Sequence, residues 1–316
     1  MPYYTAFMLQ IEFLRCCKIS ILRPMYDICC VGHITSDKIV NTRGTMHMPG
    51  GTALYFSCAL NKLDVNYVLV TALAESEMEY VKYLRDKGIE VRVQPSGHTV
   101  VFENIYGENQ DERTQNVLQI ADAFTMDQLL NVDAGIFHLG PLLTGDFSTD
   151  FIKTLSAKGR LALDVQGYLR KVVDQKVSLT DWPEKKEALQ YIDILKADVA
   201  ELAALSGCDT VEDGAKFLLD LGVKEAVITN GSLGSAIYTN SNYYRIRAYH
   251  PELVVDATGC GDTYMAGYLY KRIKKAVDIR QAGEFAAAMA GLKTMSPGPF
   301  VGTDDDVMRF MAQSVA

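Results

Sequence analysis

Nowhere in the 316-residue chain do eighteen apolar residues stand in a row, so no membrane span is expected. Positive charge is short too. The 31 Lys and Arg face 39 Asp and Glu, a net charge of −8, which argues against nucleic acid or an anionic membrane as partner. Phosphorylated ligands remain admissible, because they need only a local positive site. No CxxC pair occurs among the seven cysteines: Cys16, Cys17, Cys29, Cys30, Cys58, Cys208 and Cys260. Their odd number and vicinal pairs exclude a simple disulfide framework and point to buried thiols in a reducing, cytoplasmic setting. A zinc site from Cys16, Cys17, Cys29 and Cys30 would fit no common ligand spacing. The five histidines are scattered; His138 sits in an apolar run and is expected to be a hydrogen-bonded core residue. Missing as well are a Walker A loop, a strand-linked GxGxxG, an HExxH helix and a GxSxG elbow. The common routes to nucleotide, metal and acyl chemistry are thereby closed.

Residues 1–24 lack the features of a signal peptide, since Glu12, Arg15, Lys18 and Arg23 interrupt the apolar core and no small-residue cleavage site follows. Met25 stands just before the first convincing strand. Residues 1–24 are therefore expected to be an N-terminal extension outside the fold, and 25–316 a single domain.

What the chain does contain is an alternation of short apolar runs and helical segments. Runs at 26–32, 67–72, 89–93, 134–139, 160–165, 191–195 and 226–229 suit buried strands, with helices expected at 52–63, 75–87, 149–157, 198–205, 211–221, 279–293 and 304–311. Such a rhythm implies an α/β fold with a mainly parallel sheet between helical layers. Segments 99–106 and 113–119, separated by a polar turn, form a hairpin signal, and 235–239 with 243–248 form another. Lid strands are expected from about 38–48 and 98–119. Residues 166–183, with the one tryptophan, Trp182, are expected to be a long connection.

The stretch 256–272, DATGCGDTYMAGYLYKR, stands apart. Thr258-Gly259-Cys260-Gly261 makes a tight turn into a helix whose Met265, Leu269 and Ile273 share one face, and the apolar run 253–255 before it is expected to be a strand. Free amides at a helix N-terminus hold an anion or developing negative charge. Asp262 would stand beside that anion, positioned to take a proton from an attacking hydroxyl. A plain glycine turn with a dipole-friendly aspartate is the alternative, and spacing does not choose between them.

Residues 256–262 (DATGCGD) resemble the DTxGAGD signature of the ribokinase-like (PfkB) carbohydrate kinases. Further matches occur in order. Residues 32–37 (GHITSD) are similar to the family's N-terminal substrate motif, and Gly50-Gly51 to its second one. Asp198-Val199-Ala200-Glu201 resembles NxxE, and 229–234 (TNGSLG) the nucleotide-binding strand and turn. The likeness spans about residues 25–312. It implies a three-layer ribokinase-like sandwich with a small β lid, and ATP- and Mg²⁺-dependent phosphoryl transfer to a hydroxyl of a small sugar or polyol.

By this resemblance Asp262 is the general base and Gly259, Cys260 and Gly261 are the anion hole. Thr35, Asp37, Gly50, Gly51 and Arg113 would contact substrate. Thr229, Gly231, Gly234 and Thr258 would contact nucleotide, and Glu201 (through water) and Asp198 would serve Mg²⁺. An aspartate of ordinary pKa, about 3.9, would be ionised at neutral pH but a weak base. The resemblance also admits a monovalent cation and a homodimer through the lid. Tyr55 stands where sugar-specific relatives carry an asparagine, Asp198 replaces the first asparagine of NxxE, Cys260 replaces an alanine, and 294–300 (TMSPGPF) departs from the usual adenine loop. A nucleoside or inositol kinase, or a non-catalytic sugar-binding relative, are the alternatives.

Overall fold

The computed structural model describes residues 25–41, 44–106 and 113–314; the extension 1–24, with Cys16 and Cys17, lies outside the described residues. In chain order β1 (Met25–Gly32), β2 (Thr35–Asn41) and β3 (Gly44–Gly50) lead into α1 (Gly51–Leu60), β4 (Tyr67–Leu73), α2 (Met78–Asp86) and β5 (Glu90–Pro95). Next come β6 (Val101–Tyr106), β7 (Arg113–Gln119), β8 (Asp133–Gly140), α3 (Thr149–Ser156) and β9 (Arg160–Asp164). The chain continues with β10 (Arg170–Val173), β11 (Lys176–Leu179), the short α4 (Lys185–Ala188), β12 (Ile194–Asp198), α5 (Val199–Ser206), α6 (Val211–Asp220) and β13 (Glu225–Thr229). It closes with β14 (Ser235–Tyr238), β15 (Tyr243–Ile246), α7 (Cys260–Leu269), α8 (Ile279–Lys293) and α9 (Asp304–Gln313).

The main sheet has nine strands in the order β15-β14-β13-β12-β9-β8-β1-β4-β5. Every neighbouring pair from β13 to β5 is parallel, while β14 and β15 close one edge antiparallel. Parallel strands buried on both faces need apolar side chains on both, and β1 shows how this is met. Ile28 and Cys30 face a core shared with α1, α7 and α8, whereas Cys29 and Val31 face a core shared with α3, α5 and α6. Two adjacent cysteines on opposite faces cannot share a metal. Both stay as buried thiols.

A second sheet of six strands, β10-β11-β7-β6-β2-β3, stands beside the ends of the parallel strands. Within it β6 and β7 form an antiparallel hairpin, and β2 runs parallel to β6. The segment 166–183 is not the plain connection expected. A 3₁₀ turn at Val165–Leu169 is followed by the β10–β11 hairpin, which extends the second sheet through Lys176 and Asn116. Trp182 then stacks on Tyr168 with ring centroids 3.8 Å apart.

A second correction concerns 253–255. Leu253, Val254 and Val255 are exposed and form no strand. The amides of Val255 and Asp256 both donate to Thr294 O, so the loop after α8, rather than a sheet neighbour, holds this run. A third concerns His138, which is buried and stacks on Phe56, but neither ring nitrogen has a hydrogen-bond partner among the described residues.

Candidate active site

Helix α7 is buried from Thr263 to Leu269, as an all-round apolar helix must be, between α1 and α8. Its N-cap is Gly259, in the left-handed region at φ 74°, so no side chain caps the first turn. The Cys260 amide donates to Ala257 O at 3.2 Å to close the turn. Of the expected anion-hole amides, those of Gly259 and Gly261 therefore stay available, with that of Asp262 beside them. A Cβ on Gly259 would overlap the Tyr55 ring, so Tyr55 backs the turn from behind. The Cys260 thiol points at Ala290 O, 3.6 Å away, and burial pushes its pKa up to about 11.

Beside this turn lies a group the sequence reading overlooked. Lys196, at the centre of β12, is buried, with Nζ 3.0 Å from Asp164 Oδ2 and 3.8 Å from Glu201 Oε2. A Cβ on Gly261 would fall 3.2 Å from the same nitrogen. Burial alone would lower the lysine's pKa, but Asp164 and Glu201 more than offset it and hold the group charged. Asp262 is pushed the other way. Burial first, then the Asp164 carboxylate, raise it to about 7, against the pull of Lys196, a Thr52 hydrogen bond and Arg170. In place of the ordinary carboxylate expected at Asp262, the fold thus holds one that titrates close to neutrality.

One cavity of about 900 Å³ joins these groups to the second sheet, at the upper end of the range for small-molecule sites. Asp37, Ile39, Met48, Phe102, Asn104 and Gln115 supply the lid wall; Asp164, Gln166, Arg170 and Lys196 supply the floor. The turn from Asp256 to Asp262 closes the third side. Arg170 lies over the Phe102 ring at 5.6 Å, which fixes the first residue of β10 to the lid. Asp37 and Thr35 belong to strand β2, and the Gly50-Gly51 pair lets β3 turn beneath them. A Cβ on Gly50 would lie 2.6 Å from Asp37 Oδ2, and Gly51 has φ 84°.

Other expected site residues lie elsewhere. Asp198 and Glu201 form a capping box at the start of α5, with Asp198 Oδ1 accepting from Glu201 N and Glu201 Oε2 accepting from Asp198 N, both at 2.7 Å. Neither lines the cavity, and Glu201 is buried against Lys196 rather than exposed. Thr229, Gly231 and Gly234 sit at the β13–β14 corner, outside the cavity lining. Arg113 pairs with Tyr106 in the lid, and its side chain lies outside the described residues. The missed floor residues had one signal. Asp164, Gln166 and Arg170 follow directly on a strand end, where parallel sheets place their ligands.

Comparison with known proteins gives concordant results. Residues 23–305 match the family model described as pfkB family carbohydrate kinase. A cytidine kinase from Thermococcus kodakarensis is 24% identical over 256 residues, 78% of this chain and 88% of that protein. The sulfate complex of a pyrophosphate-dependent kinase in the ribokinase family superposes with a TM-score of 0.79 at 29% identity, covering 89% of this chain and 99% of that one. A pyrophosphate-dependent kinase of the same family, complexed with a pyrophosphate analog and myo-inositol, gives 0.78 at 28% identity over 89% and 99%.

Proposed function

Because the chain belongs to the pfkB family of carbohydrate kinases, we propose that it moves the γ-phosphoryl group of ATP onto a hydroxyl of a small sugar or polyol. The observation that carries this reading is the meeting, in one cavity, of Asp262, an uncapped helix N-terminus and the buried Lys196 ammonium. A substrate hydroxyl held between Asp262 and the donor gives up its proton to Asp262 as it attacks. With a pKa of about 7 the carboxylate is a substantially better acceptor than an ordinary aspartate. The Gly259 and Gly261 amides and Lys196 balance charge on the phosphoryl oxygens as they move. Asp37, beside Gly50 and Gly51, orients the substrate, and the lid wall keeps water from competing as acceptor.

Magnesium, which the family implies, finds no carboxylate cluster among the described residues. Asp198 is occupied in its capping box and does not fit as a ligand. Asp164 is the cavity carboxylate suited to a hydrated ion arriving on the donor's phosphates, where such an ion would neutralise phosphate charge.

A second reading takes pyrophosphate as donor and an inositol or nucleoside as acceptor. Its support is that the Thr229–Gly234 corner does not line the cavity, that Tyr55 backs the turn in place of an amide, that a similar kinase at 29% identity is named pyrophosphate-dependent, that one at 28% is complexed with a pyrophosphate analog and myo-inositol, and that a cytidine kinase is 24% identical. Turnover measured with ATP and with pyrophosphate across hexoses, pentoses, inositols and nucleosides separates the two. Donor consumption that depends on one acceptor and disappears in Asp262→Asn supports phosphoryl transfer at this site. Wild-type turnover by Asp262→Asn would refute it.

A further inference from the structure

At the root of the anion turn lies a buried charge that the transfer chemistry leaves unused. Lys293, the last residue of α8, is 1% exposed, although lysine is among the residues least often buried. Its Nζ donates to Asp256 O at 2.8 Å and to Asp256 Oδ2 at 2.9 Å. The same carboxylate organises the turn: Oδ1 accepts from Thr258 N at 2.8 Å, and Oδ2 from Gly298 N at 3.3 Å. Thr294, next in the chain, accepts from the amides of Val255 and Asp256. The ammonium is therefore the hub joining the turn, the end of α8 and the loop at 294–298. It also lies 6.0 Å from the centroid of the Tyr55 ring, the ring that backs Gly259.

A dissociable monovalent cation serving this turn would take oxygen ligands, main-chain carbonyls and a carboxylate. The carbonyl and the carboxylate oxygen that converge at the root of the turn are those already holding Lys293. Adding a second positive charge to one shared carboxylate would leave a buried cation uncompensated, which is strongly unfavourable. Resting on the phosphotransfer reading, we infer that Lys293 is a built-in cation that does the work of a monovalent ion, so that the reaction needs none. Lys293 is a positioning residue: it touches Asp256, and Asp256 shapes the turn.

The test varies the monovalent cation at constant ionic strength and compares wild type with Lys293→Met. Wild-type kcat in potassium, sodium and choline salts is expected to agree within about twofold. A tenfold or greater stimulation of wild type by potassium over choline, about 1.4 kcal/mol, would overturn the inference. In choline, Lys293→Met is expected to lose about tenfold or more in kcat and to regain much of it with potassium or ammonium but not lithium. Its unfolding midpoint should rise with potassium while that of wild type stays put, as linkage requires for an ion bound only by the folded variant. Full activity of the variant in choline, or a folded variant that potassium neither reactivates nor stabilises, overturns the inference. Should the variant not fold, the wild-type cation series still decides. The unfolding measurement needs no substrate, so a failed acceptor screen would not be mistaken for failure of this idea.

Discussion

At Asp262 the fold holds a carboxylate whose raised pKa costs stability. Its pKa rises from an ordinary 3.8 to about 7, so between those values the folded chain binds a proton that the unfolded chain has released. Stability contributed here is therefore lost as pH climbs toward 7 and stays lost above it. Asp262→Asn should raise the unfolding midpoint at pH 8 while leaving it nearly unchanged at pH 4, measured by thermal denaturation. The same variant should lose roughly 10²–10⁴-fold in kcat, the usual contribution of a general base. For wild type, kcat/KM should climb about tenfold per pH unit below 7 and level off above it, because only the ionised carboxylate accepts the proton. Cys260 tells a milder story. Its amide closes the turn and its thiol, pushed up to about 11, is mostly un-ionised at neutral pH. Cys260→Ala should keep activity, and iodoacetamide at pH 7.5 should label the residue far more slowly than a free thiol, read by mass spectrometry.

At the scale of elements, the turn at 256–262 is held by contacts from three directions. Tyr55 of α1 lies behind Gly259, Lys293 of α8 holds Asp256, and Lys196 of β12 stands beside Gly261. Gly259→Ala thus meets two separate obstacles. A left-handed φ of 74° costs a side chain about 1–2 kcal/mol, and the Cβ overlaps the Tyr55 ring as well. In urea unfolding of a double-mutant cycle, Tyr55→Ala should cut the added cost of Gly259→Ala to about the backbone share alone. Strict additivity of the two substitutions would show that the ring does not buttress the turn. The β10–β11 hairpin plays a comparable part for Arg170, anchoring it where lid and floor meet.

For the molecule as a whole, the second sheet supplies one wall of the cavity. Its end strand β3 carries Met46, 56% exposed, which with Met48 on the same strand face lines the mouth of the cavity. Association of two such sheets edge to edge would cover Met46 and satisfy the unpaired side of β3. Light scattering of the purified protein should then report a mass of twice 35.0 kDa, and a monomer at assay concentration would exclude the arrangement. No helix among the described residues is long and apolar enough to cross a membrane.

The alternation of strands and helices was legible because buried parallel strands demand continuous apolar runs, and Cys29-Cys30 or Val68-Leu69-Val70 admit little else. The turn at 256–262 was legible too, since glycines at a helix start and an aspartate behind them form a local pattern. Long-range placement was not. Lys196 reads as one lysine just past an expected strand until Asp164 and Glu201 close on it from two other segments, and it is the burial of Asp262 itself, with the Asp164 carboxylate nearby, that lifts its pKa toward neutrality. Likewise Leu253-Val254-Val255 has strand composition, yet Thr294 takes its amides. Local pattern thus determined the layers and the glycine turn at 256–262, whereas the charge around that turn depends on distances between residues far apart in the chain. Those distances exist only once the sheet, α8 and the lid have packed together.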